Sequence, residues 1–194
     1  MWPLKVNIAD LPFRPGTYVI PSSATDAIWN RLGQVYTYPD DRAGFEGQFK
    51  TVMVVKNELS SPGAVLPSLT YEFSTTAGEY RKELYQLGSA EATEQYLVDD
   101  QLPAAGAPDG AILYVILSGL AYVKTPASAS ARHVWSIGDC IVGTGSGRAV
   151  VASYTGKTES ALADQIKNVI GRTMSACTSA EISTLKLVYV GKYT

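Results

Sequence analysis

Histidine occurs once in this chain of 194 residues, cysteine twice and methionine three times. His133 is the single imidazole, and neither Cys140 nor Cys177 has a second ligand at short spacing, so no zinc or iron motif can be written. The same scarcity removes Ser-His and Cys-His hydrolase patterns, because His133 is the sole base and no G-x-S-x-G elbow occurs. No catalytic residue, metal ligand or cofactor is assigned, and the chain is expected not to be an enzyme. Without CxxC spacing, the cysteines read as two reduced thiols of a cytoplasmic compartment.

Charge is also sparse: 18% of residues are charged, against roughly 25% in an average soluble domain. The 16 basic and 18 acidic residues are scattered along the chain for a net −2, which leaves no stripe to follow a phosphate backbone. Direct nucleic-acid binding is therefore not expected. The longest apolar run, 111–123, contains Ser118-Gly119 and falls well short of the ~20 residues of a membrane span. The opening "MWPLKVNIADLPFRPG" has prolines and charges where a signal peptide needs an apolar core. Synthesis in a cytoplasm, with no membrane partner, is the expectation.

What the chain does have is short apolar stretches of period two, cut by Gly, Pro, Asn, Asp and Ser. They lie at 17–21, 33–38, 49–57, 69–74, 111–125, 133–142, 148–154, 169–177 and 183–192, the mark of an all-β sandwich or small barrel. In 111–123 both side-chain registers are apolar: Ile112, Tyr114, Ile116, Leu120 and Tyr122 on one, Leu113, Val115, Leu117 and Val123 on the other. A strand with a wet face would alternate, so this one is expected to be covered on both sides, the second cover being another subunit. The segment 78–102 reads as an irregular, exposed insertion, although Arg81, Glu83 and Tyr85 against Lys82, Leu84 and Gln86 suit an edge strand equally. The stretch 159–169 reads as a short helix, with Leu162, Ile166 and Val169 on one face and Thr158 as its cap. "PAAGAPDG" at 103–110 suggests a soft boundary. The expected organisation is an extended arm over 1–16, a β-rich region over 17–105 and a β-barrel over 106–194.

Two motifs invite chemistry. Gly143, Gly145 and Gly147, followed by Gly156-Lys157-Thr158, resemble a phosphate loop, but a P-loop would need glycine at 151, where valine stands, and G-x-G-x-x-G fails at Arg148. Apolar flanks around "GTGSG" fit a hairpin instead, with glycine supplying positive φ. The pairs Asp40-Asp41 and Asp99-Asp100 could divide acid and base roles, yet both sit in polar, proline-flanked segments and read as solvated turns. Twelve tyrosines against four phenylalanines suit protein interfaces and sugar platforms alike.

The order "AILYVILSGLAYVKT", "HVWSIGDCIVGTGSGRAVVAS", "NVIGRTMSA", "STLKLVYVG" resembles the head-decoration, or cement, proteins of tailed bacteriophages. The matching positions are Gly119-Leu120, Ile137-Gly138-Asp139, the turn 143–147, Ile170-Gly171 and 187–190. The resemblance covers about 85 residues, 110–194, and departs from the family in the longer connection 155–167 and in the whole of 1–105. It implies a small barrel that forms a homotrimer on the capsid surface of the virion and bridges major capsid proteins, without a catalytic residue. Trp2 and Phe13 on the arm, with Tyr114, Ile116 and Tyr122 on the long strand, are then the candidate interface residues. The competing expectation is a tail or surface β-protein that binds host glycans or another virion protein through its aromatic side chains.

Overall fold

The computed structural model describes residues 4–59, 63–76, 79, 82–88, 94–129, 131–154 and 158–192. The chain is all-β. Its strands are β1 (Leu4–Lys5), β2 (Val35–Pro39), β3 (Phe49–Asn57), β4 (Thr70–Phe73), β5 (Glu83–Leu87), β6 (Gln95–Val98), β7 (Ile112–Lys124), β8 (Cys140–Gly143), β9 (Ala149–Val151), β10 (Val169–Thr173) and β11 (Leu185–Gly191). They join in one mixed eleven-stranded sheet, ordered β1-β2-β3-β5-β4-β6-β7-β11-β10-β8-β9, with an additional β3–β7 pairing. That extra pairing closes a ring of five strands, β3-β5-β4-β6-β7. The ring is not a clean barrel, because β3–β5 and β6–β7 are joined over only two residue pairs each. Nor is it the expected carboxy-terminal barrel: four of its strands come from the amino-terminal half, while β8 to β11 extend from β7 as a wing.

The reason for this arrangement lies in β7. Leu113, Val115 and Leu117 enter the cluster inside the ring, with Met53, Val55, Tyr71, Phe73, Leu84, Tyr96 and Val98. Ile112, Tyr114 and Ile116 face the other core, with Tyr36, Tyr38, Val52, Val54 and Trp135. Both covers of β7 therefore belong to the chain itself, and no second subunit is needed to explain its double apolar register. Each such side chain, fully buried, is worth about 1.5–3 kcal/mol.

Alternation then breaks. Ile116 pairs with Val52 and Ser118 with Thr51, so β7 has one residue more than β3 at this point. Beyond the bulge, Ala121 and Val123 join the core that Ile112 and Tyr114 face, and Leu120 and Tyr122 turn outward. A single extra residue in a strand has this effect because the side-chain period is two. Gly119 sits at φ +116°, and a Cβ there would lie 2.7 Å from the Phe49 carbonyl oxygen.

The helix α1 spans Glu159–Asn168, and the Thr158 hydroxyl accepts from the Ala161 amide at 3.3 Å, the cap expected of that residue. Three expectations are corrected. Residues 78–102 carry strands β5 and β6, and β6 is buried throughout. Residues 17–21 contribute only the Val19–Ile112 bridge, and 133–139 only the Trp135–Cys177 bridge. The amino-terminal segment lies on its own body: β1 pairs in parallel with β2, and Leu11 is buried.

Gly119→Ala is expected to destabilise the chain by about 3 kcal/mol, from a positive-φ position combined with a backbone clash. Urea unfolding reads this; a loss below about 0.5 kcal/mol would mean the bulge does not need glycine.

Candidate functional site

Past the bulge, β7 has no β3 partner for the backbone of Leu120 and Tyr122. Side chains take its place. Arg42 Nη2 donates to the Leu120 carbonyl at 2.9 Å, and the Tyr122 amide donates to Asp100 Oδ2 at 2.8 Å. Behind them lies a buried ionic cluster. Arg42 grips Asp40 with Nε and Nη2 (2.9 and 2.6 Å) and reaches Asp100 with Nη1 (2.7 Å). Lys50 is fully buried and donates to Asp100 Oδ1 at 2.9 Å, with Asp40 Oδ2 3.8 Å away. Asp99, equally buried, accepts from the amides of Gly16 (2.8 Å) and Gln101 (3.2 Å).

Three carboxyl groups thus face two cations. Burial pushes the Asp99 carboxyl above its ordinary pKa, with the neighbouring Asp100 adding to the rise and Lys50 opposing it. Burial acts on Asp40 in the same sense, but the hydrogen bonds and charge of Arg42 and Lys50 outweigh it and hold that carboxyl below the usual range. Tyr38, opposite Lys50 in the β2–β3 ladder, has its hydroxyl pushed up by burial and by all three carboxylates, so it stays protonated. The solvated-turn reading of Asp40, Asp99 and Asp100 is corrected; Asp41 alone of the four is exposed. Side chains of Arg42 and Asp100 complete a strand edge here, with Lys50 holding Asp100 in place, which is a structural role.

The surface that remains is the outer face of β7, β11, β10 and β8. Register places Leu120, Tyr189, Arg172 and Cys140 in one row across the four strands, with Tyr122 beside Leu187 and Lys124 beside Leu185 in the next rows. Tyr189 is 45% exposed, Leu185 55% and Tyr122 36%, and Met174 beyond the end of β10 is 46% exposed. On the inner face, Ala121, Val123, Val188, Val190 and Ile141 are all fully buried. Where α1 meets this face, a cleft of about 530 Å³ opens between Ile166 and Val169 on one side and Cys140, Tyr154, Arg172 and Tyr189 on the other, with Gly171 and Gly191 in its lining.

The candidate interface residues scatter. Tyr122 lies on the exposed face. Tyr114 and Ile116 are fully buried in the chain's own core and unavailable to a partner. Phe13 stacks on Tyr114, ring centroids 4.1 Å apart, and its carbonyl accepts from the Tyr114 hydroxyl at 3.0 Å. Trp2 lies outside the described residues, as do Gly156 and Lys157. Sequence reasoning missed Leu185, Tyr189, Arg172 and Cys140, although "STLKLVYVG" already carried Leu185, Leu187 and Tyr189 in one register.

The glycine turn is the expected hairpin, β8 pairing with β9 and the Gly147 amide donating to the Thr144 carbonyl at 2.8 Å. Its glycines do different work. Gly147 has φ +68°, while Gly143 lets the Gln95 side chain approach so closely that a Cβ would stand 1.8 Å from it. His133 is buried, with Nε2 2.8 Å from the Glu181 carbonyl. Among the described residues no group of three His, Cys, Asp or Glu side chains is placed to hold a metal ion.

Lys50→Met leaves the three buried carboxyl groups with one cation, and a loss of about 3–5 kcal/mol in unfolding free energy is expected; a loss under 1 kcal/mol would show the cluster to be dispensable. Asp40 has a depressed folded pKa, so its stabilisation is present above the unfolded pKa of about 4 and lost as pH falls through the lower folded value. The stability gap between wild type and Asp40→Asn is therefore expected at pH 7 and should close on acidification below about pH 4. A gap that widens in acid would contradict the assignment.

No family model matches this chain, and no curated protein does. Among solved structures it is similar to the N base of the head fibre gp8.5 of bacteriophage phi29, at 13% identity and a TM-score of 0.40, over 74% of this chain and 97% of that one.

Proposed function

We propose that the chain is a structural protein of a tailed-phage virion, seated on the outer capsid surface and cementing the head. The observation that carries this reading is the outer face of β7–β11–β10–β8, where Leu120, Tyr122, Leu185, Leu187, Tyr189 and Met174 stand together on one side of the sheet. An apolar patch on a sheet face of this kind marks a surface that is buried against another protein. The major capsid protein is the proposed partner, and self-association as a homotrimer is part of the same reading, as the cement-protein resemblance implies. No catalytic role is proposed: the ionic cluster is enclosed in the fold and its hydrogen bonds go to backbone and to its own members.

Glycan binding is the competing reading, favoured by the exposed rings of Tyr122, Tyr154 and Tyr189. Leucine and methionine among them favour protein burial, because a sugar's hydroxyls find no partner against aliphatic carbon.

The double variant Leu185→Asp, Tyr189→Asp changes two exposed side chains. It should fold as the wild type does and fail to associate with purified heads in a cosedimentation assay, and heads lacking the protein should release DNA at lower temperature. Wild-type association of the variant would remove this face from the interface. Loss of host-cell adsorption with unchanged heads would favour the glycan reading.

A further inference from the structure

The cleft beneath α1 differs in chemistry from the rest of the exposed face. Its walls are aliphatic and aromatic: Ile166 (59% exposed) and Val169 on the helix side, Tyr154 (41%) and Tyr189 on the other. At Gly191 a Cβ would meet no heavy atom within 4 Å, so backbone lies bare to an occupant there. Among the described residues one full charge stands in this lining, Arg172, and it is exposed. Its guanidinium donates to the Gly138 carbonyl at 3.2 Å and forms no ion pair with a carboxylate among the described residues.

An apolar cleft whose guanidinium has no carboxylate partner among the described residues selects an occupant that brings both an apolar body and an anion. A second copy docked about a two-fold axis through the cleft would set Arg172 against Arg172, which like-charge repulsion disfavours. A sugar acid would supply the anion but leave ring hydroxyls unpaired against Ile166 and Val169. A peptide answers both demands. We propose that this cleft seats a segment of the partner virion protein in which an apolar side chain neighbours an Asp, Glu or chain-terminal carboxylate, the side chain entering between Ile166 and Tyr189 and the carboxylate pairing with Arg172. The proposal rests on the reading of this face as a virion interface and names the chemistry of the partner at one point in it.

Cys140 lines the cleft and is half-exposed, whereas Cys177 is buried and serves as an internal reference. The test compares N-ethylmaleimide labelling of Cys140 in the free chain and in purified phage particles, with the chain's presence in the particles measured by quantitative mass spectrometry. In particles, Cys140 is expected to react about tenfold more slowly than in the free chain, as for a site that opens only transiently. Arg172→Gln should weaken incorporation about threefold, the worth of one partly exposed ion pair. Gly191→Leu fills the cleft at a position with open space and should reduce incorporation more, with the free chain's unfolding midpoint unchanged.

Particles that contain the chain but label at the free rate would overturn the cleft proposal while leaving the virion reading intact. Particles without the chain would overturn both. Protection that appears in the free chain at high concentration would identify a second copy as the occupant, and protection of the free chain by an oligogalacturonate would identify an acidic sugar; either result overturns the peptide proposal.

Discussion

A single inserted residue in β7 decides which side chains this protein hides and which it shows. Before the bulge, β7 is buried on both faces, inside the five-strand ring and against the second core. After it, the register inverts: Ala121 and Val123 go inward, and Leu120 and Tyr122 go outward beside Leu187 and Tyr189 of β11. Gly119 makes the inversion sterically possible, because only glycine tolerates φ +116° with the Phe49 carbonyl at that distance. The exposed apolar face follows from that backbone event and not from an excess of hydrophobic residues in the chain.

The bulge has a cost, since it parts β7 from β3 and leaves the Leu120 carbonyl and Tyr122 amide without strand partners. Arg42 and Asp100 supply the missing hydrogen bonds, and Asp40 and Lys50 compensate their charges. Buried ionic groups rarely add net stability over well-packed apolar ones. Here they satisfy backbone groups that no hydrocarbon could, so the ionic cluster and the bulge stand or fall together. By bonding the free margin of β7, the cluster also fixes the strand at which the outer face begins.

Much of the sheet was legible from residue pattern. The run 49–57 is β3 to the residue, since β-branched side chains and a polar turn at each end define it. Thr158 marked the start of α1 through its hydroxyl, and "GTGSG" marked the β8–β9 hairpin. Strand β5 was legible only as the edge-strand alternative over 81–86, and β6 not at all, because Glu83, Gln86 and Gln95 look solvated in sequence. Gln95 is buried only because the Thr70 hydroxyl donates to it at 2.6 Å and Gly143 makes room. The Asp pairs failed for a related reason: nothing adjacent in sequence announces that Lys50, fifty residues from Asp100, will lie between them. Strict alternation across Ser118-Gly119 placed Tyr122 on one face with Tyr114 and Ile116; the bulge separates them, so Tyr122 is exposed while Tyr114 and Ile116 lie in the core.

The proposed burial of the outer face against a virion protein is open to one direct measurement, hydrogen exchange of native particles and of the isolated chain followed by mass spectrometry. Slower exchange in particles confined to peptides spanning 118–124, 185–191 and the 169–173 strand between β8 and β11 is the expected result. Identical exchange of those peptides in both states, with protection elsewhere on the molecule or nowhere, would contradict it.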